Sequence, residues 1–201
     1  MVDEQLRGRD ITDPRVLEVM GRLERERFVP DMSRQEAYQD RPVSIGLEQT
    51  ISQPYIVALM TQLARPSPDS RALDVGSGSG YQAAILAELC GQVYGLEIRR
   101  ALADAAARRL AALGYRNVAI RCADGYQGWP EEAPFDVILV AAAPVEVPQP
   151  LVEQLAVGGR LVIPVGNLAQ QDLMLIEKKS DGTVCRTAVV PVQFVRMTSA
   201  P

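Results

Sequence analysis

The sequence predicts a doubly wound α/β fold: a mostly parallel seven-stranded sheet with a C-terminal antiparallel hairpin and an N-terminal helical extension. Three observations carry this expectation. From Arg71 onward, short apolar runs alternate with helical stretches, the rhythm of βαβ units. A glycine-rich run, Gly76-Ser77-Gly78-Ser79-Gly80, stands where the first apolar run gives way to the first of those helices. The last two apolar segments flank Ser180, Asp181 and Gly182, a turn-forming cluster that joins antiparallel strands.

Taken in order, Val16, Leu17, Val19, Met20 and Leu23 recur at helical spacing across residues 14–26, with Asp13 as N-cap and Pro14 in the first turn. Between residues 28 and 54 periodicity is lost. Pro30, Pro42, Gly46 and Pro54 punctuate a long connection, which is unusual inside a domain unless it serves function. A helix over residues 55–64 follows, and Pro66, Ser67, Pro68 and Asp69 break the chain. Strand 71–75, helix 81–89, strand 92–97 and an alanine-rich helix 100–113 come next, the last closed by Gly114. Residues 117–122 and 135–140 read as further strands, 151–155 as a short helix and 160–164 as the fifth strand. Segments 173–178 and 184–194 then form the hairpin.

Composition narrows the function. With 201 residues, 47% of them hydrophobic, the chain suits one domain with one sizeable core. A net charge of -4 argues against nucleic acid or anionic lipid as partner. Cys90, Cys122 and Cys185 are odd in number and there is no histidine, so neither a disulfide framework nor a Cys/His metal site is expected. No apolar stretch approaches a membrane span or resembles a signal peptide, and the expected location is the cytoplasm. The missing histidine also disfavours triad hydrolases and points to chemistry that needs no general base near neutral pH.

The glycine run belongs to Asp74-x-Gly76-x-Gly78-x-Gly80. A dinucleotide fingerprint would place its third glycine at position 81, which is Tyr81. The acid two residues before the first glycine suits a cationic ligand better than a pyrophosphate, and S-adenosylmethionine is such a ligand. Glu97, ending the second strand, stands near the separation at which an acid meets cofactor ribose hydroxyls. Asp124-Gly125 follows the third strand, again at a carboxyl end of the sheet, where Asp124 could accept from an adenine amine. Each has a plainer reading: a glycine-rich turn, a solvated strand-end charge, and a favoured turn pair.

Within the long connection, Gln49-Thr50-Ile51-Ser52-Gln53-Pro54, together with Arg27-Phe28-Val29-Pro30 and Asp74-Val75-Gly76-Ser77-Gly78-Ser79-Gly80, resembles the protein-L-isoaspartate O-methyltransferase family. Asp124-Gly125-Tyr126-Gln127-Gly128, Ala133-Pro134-Phe135-Asp136 and Ile163-Pro164-Val165-Gly166 are similar to family segments in order and spacing. The resemblance implies a Rossmann-like methyltransferase fold over residues 1–201, with 1–66 supplying helices and the active-site loop and 67–201 the cofactor-binding core. It implies a cytoplasmic repair enzyme that uses S-adenosyl-L-methionine, yields S-adenosyl-L-homocysteine, and methylates the α-carboxylate of L-isoaspartyl residues in peptides and damaged proteins; a monomer is the default expectation. Ser52 matches the family's active-site serine, with Thr50 beside it. Asp74, Gly76, Ser77, Gly78, Glu97, Asp124 and Gly125 match cofactor-contacting positions, and Gln49 matches one lineage. Without the resemblance, Ser52 and Thr50 would read as caps of the following helix.

Three positions depart from the pattern. Glu48 stands where bacterial relatives often carry glycine, Ala123 where glycine usually precedes Asp-Gly, and Arg196 where many relatives have proline. Glu48 brings negative charge near the expected carboxylate site. Two other readings stay open: a methyltransferase of this fold with another acceptor, and a cofactor-binding or protein-interaction module without turnover. A nicotinamide oxidoreductase is the weakest reading, given Tyr81 and the missing histidine.

Overall fold

Apolar runs too short for helices and too continuous for exposed strands have to be buried on both faces, and that requirement builds the molecule. The computed structural model describes residues 1–29 and 34–199; Pro30 of the Arg27-Phe28-Val29-Pro30 segment lies outside the described residues. A π-helical turn, Val2–Arg7, buries Leu6. Helix α1 (Pro14–Arg22) starts where expected: the Asp13 carboxylate accepts the Arg15 N–H at 2.9 Å, and Val16, Leu17, Val19 and Met20 are buried. It stops at Arg22 rather than 26, because Arg25–Phe28 coils into a 3-10 turn that turns Arg25 and Phe28 inward.

The expected irregular connection is largely structured. A single helical turn, α2 (Arg34–Ala37), precedes an antiparallel hairpin of β1 (Val43–Gly46) and β2 (Gln49–Ile51). At its tip Gly46, Leu47 and Glu48 have φ of 88°, 51° and 59°, so two non-glycine residues occupy the left-handed region. Helix α3 (Pro54–Ala64) follows directly.

The main sheet is assembled from β3 (Arg71–Val75), α4 (Tyr81–Leu89), β4 (Gln92–Glu97), α5 (Arg100–Ala112), β5 (Val118–Cys122), β6 (Phe135–Val140), α6 (Gln149–Glu153), β7 (Leu155–Gly166), β8 (Gln171–Lys178) and β9 (Val184–Val192). Strand order is β5-β4-β3-β6-β7-β8-β9; β3 to β7 run parallel, and β8 and β9 add antiparallel. Several boundaries differ from expectation, among them β8, which begins at Gln171 rather than 173, and β9, which ends at Val192 rather than 194. The short helix begins at Gln149 because Pro150 fits its first turn, and β7 begins at Leu155 rather than 160. Gly158 and Gly159 do not end that strand: a Cβ on Gly159 would lie 3.0 Å from the Phe135 carbonyl, and the register shifts between Phe135 and Val137.

Helices α1, α3 and α4 cover one face of the sheet over Ala72, Val93, Val137 and Leu139, and α6 packs on the other over Leu73, Val75 and Ile138. From β3 the chain steps outward to β4 and β5 on one side and then crosses back to β6 on the other, so a crevice opens beyond the carboxyl ends of β3 and β6. Hairpin β1-β2 and the start of α3 overhang that crevice, since Thr50 borders it with Gly76 and Ala141.

Candidate active site

The glycine run follows Val75 and is fastened to the end of β4. Gly76 and Ser77 N–H groups donate to the Leu96 carbonyl at 2.8 and 3.0 Å, and Gly78 N–H donates to Glu97 Oε2 at 2.9 Å. Gly76 takes φ of 84°, which carries the chain past Ala141. From α5, Arg109 donates to the Ser79 carbonyl at 2.7 Å. The loop therefore has its amides occupied at 76, 77 and 78, where a dinucleotide cradle would need them for phosphate.

Asp74 lies beneath this loop, fully buried, and neither carboxylate oxygen has a hydrogen-bond partner. The Ser77 hydroxyl donates to the Asp74 main-chain carbonyl at 3.2 Å. Burial pushes the Asp74 carboxyl up to about 7; the nearby Ser77 hydroxyl counters this and the Glu97 charge adds to it. A buried carboxylate without donors is costly, and a cationic ligand bearing N–H groups would satisfy both oxygens. Ser77, 4% exposed, borders the same cavity.

Glu97 is 6% exposed and accepts two main-chain N–H groups, from Gly78 and, at Oε1, from Arg99 at 2.9 Å. Each oxygen keeps lone-pair capacity for a ligand hydroxyl, and Glu97 borders a groove of about 620 Å³ with Gly76, Gly78 and Gly125. Gly125 is held close: a Cβ there would lie 2.5 Å from Val75 and 3.0 Å from Met197. Asp124 caps the 3-10 turn Gly125–Gln127, accepting the Tyr126 N–H at 2.8 Å; its neighbours Ala123 and Gly125 line the groove. Gln49 also lines it, with its amide donating to the Glu48 carbonyl at 2.9 Å. Glu48 is exposed at the hairpin tip and borders none of the cavities described.

Thr50 and Ser52 sit between β2 and α3. The capping role is taken by another residue: Asp40 Oδ1 accepts the Tyr55 N–H at 3.1 Å, and the N-cap residue Gln53 makes no side-chain cap. Among the described residues the Thr50 and Ser52 hydroxyls have no partner. Both border a middle cavity with Asp74, and both border a third cavity of about 440 Å³ reaching Pro42, Ile56 and Phe194. Thr50 and Ala141 border all three spaces.

Three contributors were invisible in the sequence. Asp40 is a single acid in a connection, Arg25 is a buried guanidinium bound to the Ser52 carbonyl at 2.7 Å, and the strap at 195–198 forms a groove wall. The strap is pinned by Ala143 N–H to the Val195 carbonyl at 2.8 Å and Met197 N–H to the Ala143 carbonyl at 2.9 Å. Arg196, in that strap, faces the groove between them. The assembled site offers an unpaired anion for a cationic ligand, acceptors for hydroxyls, and free hydroxyl donors for an anionic co-substrate.

The chain is similar along its whole length to known proteins. The family model described as Protein-L-isoaspartate(D-aspartate) O-methyltransferase matches residues 1–201. A Synechococcus sp. (strain JA-2-3B'a(2-13)) protein-L-isoaspartate O-methyltransferase is 56% identical over 98% of this chain and 83% of the relative. The Gloeobacter violaceus protein of the same name is 50% identical over 98% of this chain and 97% of its own. Among solved structures, a Plasmodium falciparum protein-L-isoaspartate O-methyltransferase in complex with S-adenosyl-L-homocysteine superposes with a TM-score of 0.86 at 30% identity, over 99% of this chain and 97% of that one.

Proposed function

The chain belongs to the protein-L-isoaspartate O-methyltransferase family, and from that premise we propose that Asp74, Glu97, Thr50 and Ser52 carry methyl transfer from S-adenosylmethionine to the α-carboxylate of L-isoaspartyl residues. The observation that carries this assignment is one cavity bordered by an orphaned, fully buried carboxylate, Asp74, and by two unpartnered hydroxyls, Thr50 and Ser52.

Bound S-adenosylmethionine supplies a methyl group already activated by a sulfonium. Asp74 pairs with the ammonium of its methionine portion, and Gly76, Ser77 and Gly78 form the floor there. Glu97 accepts from the ribose hydroxyls; Asp124, Gly125 and Gln49 flank the adenine end. On the acceptor side, Thr50 and Ser52 donate to the α-carboxylate and aim one of its oxygens at the methyl. With S-adenosylmethionine bound, the methyl would pass to that oxygen as the S–CH3 bond broke, and the electron pair would stay on sulfur in S-adenosylhomocysteine. A carboxylate is ionised at neutral pH, so no proton has to be removed and the absence of histidine is no handicap. Positive donor and negative acceptor neutralise each other in the transition state, so alignment and exclusion of water are the sources of rate.

The acceptor cavity lies at the overhang of β2 and α3, which favours flexible damaged segments over folded surfaces. Residues 1–66 supply the hydroxyls of the acceptor side and 67–201 most of the donor side of one domain, with Gln49 reaching the donor groove and Phe194 the acceptor cavity; the domain acts as a monomer in the cytoplasm and, with a net charge of -4, without nucleic acid. Among the described residues no helix is long and apolar enough to cross a membrane. The test is transfer of labelled methyl to peptides that differ only in L-isoaspartate against L-aspartate. Base-labile ester on the isoaspartyl peptide alone is expected; equal labelling of both would reject the acceptor assignment.

A further inference from the structure

Arg25 has no exposed surface, and among the described residues none of its hydrogen-bond partners is a carboxylate. Its Nε donates to the Ala37 carbonyl and its Nη2 to the Ser52 carbonyl, each at 2.7 Å, while Nη1 has no partner. The guanidinium carbon lies 4.9 Å from the centre of the Tyr81 ring, and Tyr81 opens α4 directly after the glycine loop. Burying a cation without a hydrogen-bonded carboxylate is costly, and the charge of Asp40 offsets this only from a distance. An apolar side chain of similar length would fill the same space without that cost. What the apolar chain would lack is the planar fork, which fixes two carbonyls at one angle while stacking on a ring.

The Ser52 carbonyl is the lever. Gln53, the N-cap residue, already gives its own carbonyl to the Val57 N–H at 3.2 Å, so α3 holds the peptide after Gln53 but not the one before it. Arg25 holds that preceding peptide, and with it the backbone angle that aims the Ser52 side chain. We propose that Arg25 is a positioning residue for the acceptor half of the reaction: it holds the Ser52 hydroxyl at the cavity shared with Asp74. The inference rests on the reading of Ser52 as the group that orients the substrate carboxylate.

The test is a double-mutant cycle with Arg25→Lys and Ser52→Ala, assayed well below the lowest melting temperature. It reads kcat and KM for an isoaspartyl peptide and, separately, S-adenosylhomocysteine affinity by calorimetry. Arg25→Lys keeps the charge but not the fork, and is expected to lower kcat roughly ten- to a hundredfold with cofactor-product affinity unchanged, as for a misplaced aligning group. In the Ser52→Ala background the same change is expected to cost nothing further, because both act through one hydroxyl. Arg25→Gln, neutral and shorter, serves as the second variant and should behave alike. Independent, multiplying losses, an unchanged kcat in folded Arg25 variants, or loss of S-adenosylhomocysteine affinity in step with kcat would each overturn the proposal. Failure of the underlying reading is seen separately, as an undiminished kcat in Ser52→Ala alone, and it takes the proposal with it.

Discussion

Asp40 Oδ1 accepts the Tyr55 N–H at 3.1 Å while its other oxygen binds Arg9 at 3.0 Å, so the start of α3 is capped by a residue outside the helix and its approach. Ser52 is thereby relieved of the role that its place before Pro54 would otherwise give it.

This division of labour separates stability from rate. Asp40→Ala removes a cap worth about 1 kcal/mol, which lowers Tm by roughly 2–4 °C in a chain of this size, and leaves most of kcat. Ser52→Ala removes a hydroxyl that caps nothing, so Tm should hold. It forfeits a hydrogen bond to a charged group, worth about 1.5–3 kcal/mol, or roughly ten- to a hundredfold in kcat. Thermal melts beside methyl-transfer rates decide the matter; a Ser52→Ala melting point as low as that of Asp40→Ala would restore the capping role.

Asp74 makes ligand-free stability fall as pH rises. Burial raises its carboxyl from 3.8 to about 7, so between those values the folded chain keeps a proton that the unfolded chain has released. Folding takes up protons in that window, and the penalty is complete above about 7. Asp74→Asn should therefore be more stable than the parent at pH 8, with the gap closing toward pH 4. Urea unfolding of both proteins without ligand measures it, and a gap that widens on acidification would contradict the assignment.

The same carboxyl ties donor binding to proton release. An ammonium beside Asp74 draws it into the ionised form, so S-adenosylhomocysteine binding below pH 7 should expel a proton and weaken by at most about tenfold per pH unit. Calorimetry in two buffers of different ionisation enthalpy reads the proton directly. Asp74→Asn should lose both the proton and most of the affinity; a parent enzyme whose binding releases none would show that the cation sits elsewhere.

Glu48 is a conformational misfit rather than an electrostatic one. Its φ of 59° costs an L-residue about 1–2 kcal/mol, while glycine there would give back about 0.5–1 kcal/mol in unfolded-state entropy. Glu48→Gly should be neutral to slightly stabilising, with kcat/KM unchanged because the side chain borders none of the cavities described. Glu48→Val, branched at Cβ, should melt lower than the parent. Peptide kinetics and melts of the two variants check it, and a large gain in kcat/KM for Glu48→Gly would mean that its charge does reach the acceptor.

The parallel strands were legible because each is a continuous apolar run between helix signals, and Arg71–Val75, Gln92–Glu97 and Phe135–Val140 fall where the pattern puts them. The hairpin β1-β2 was not, since its strands are short and its tip is Leu47-Glu48 instead of an Asn-Gly or Asp-Gly pair. Strand β7 was cut short on paper by Gly158, Gly159 and Pro164, residues that usually end strands. In the site, Asp74 and Glu97 were readable from position at strand ends. Arg25 was not: in a run of alternating charges a buried guanidinium looks like a solvated one, and only tertiary contacts distinguish them.

Thr50 and Ala141 are the shared rim of the groove proposed for the donor, the middle cavity and the cavity proposed for the acceptor, while most of the other walls differ from one space to the next. Two molecules that meet across so short a sill do not have to file past one another. On that assignment, spent donor and methylated polypeptide would each have a way out, and a bound repair target would wait in place while the cofactor is exchanged behind it.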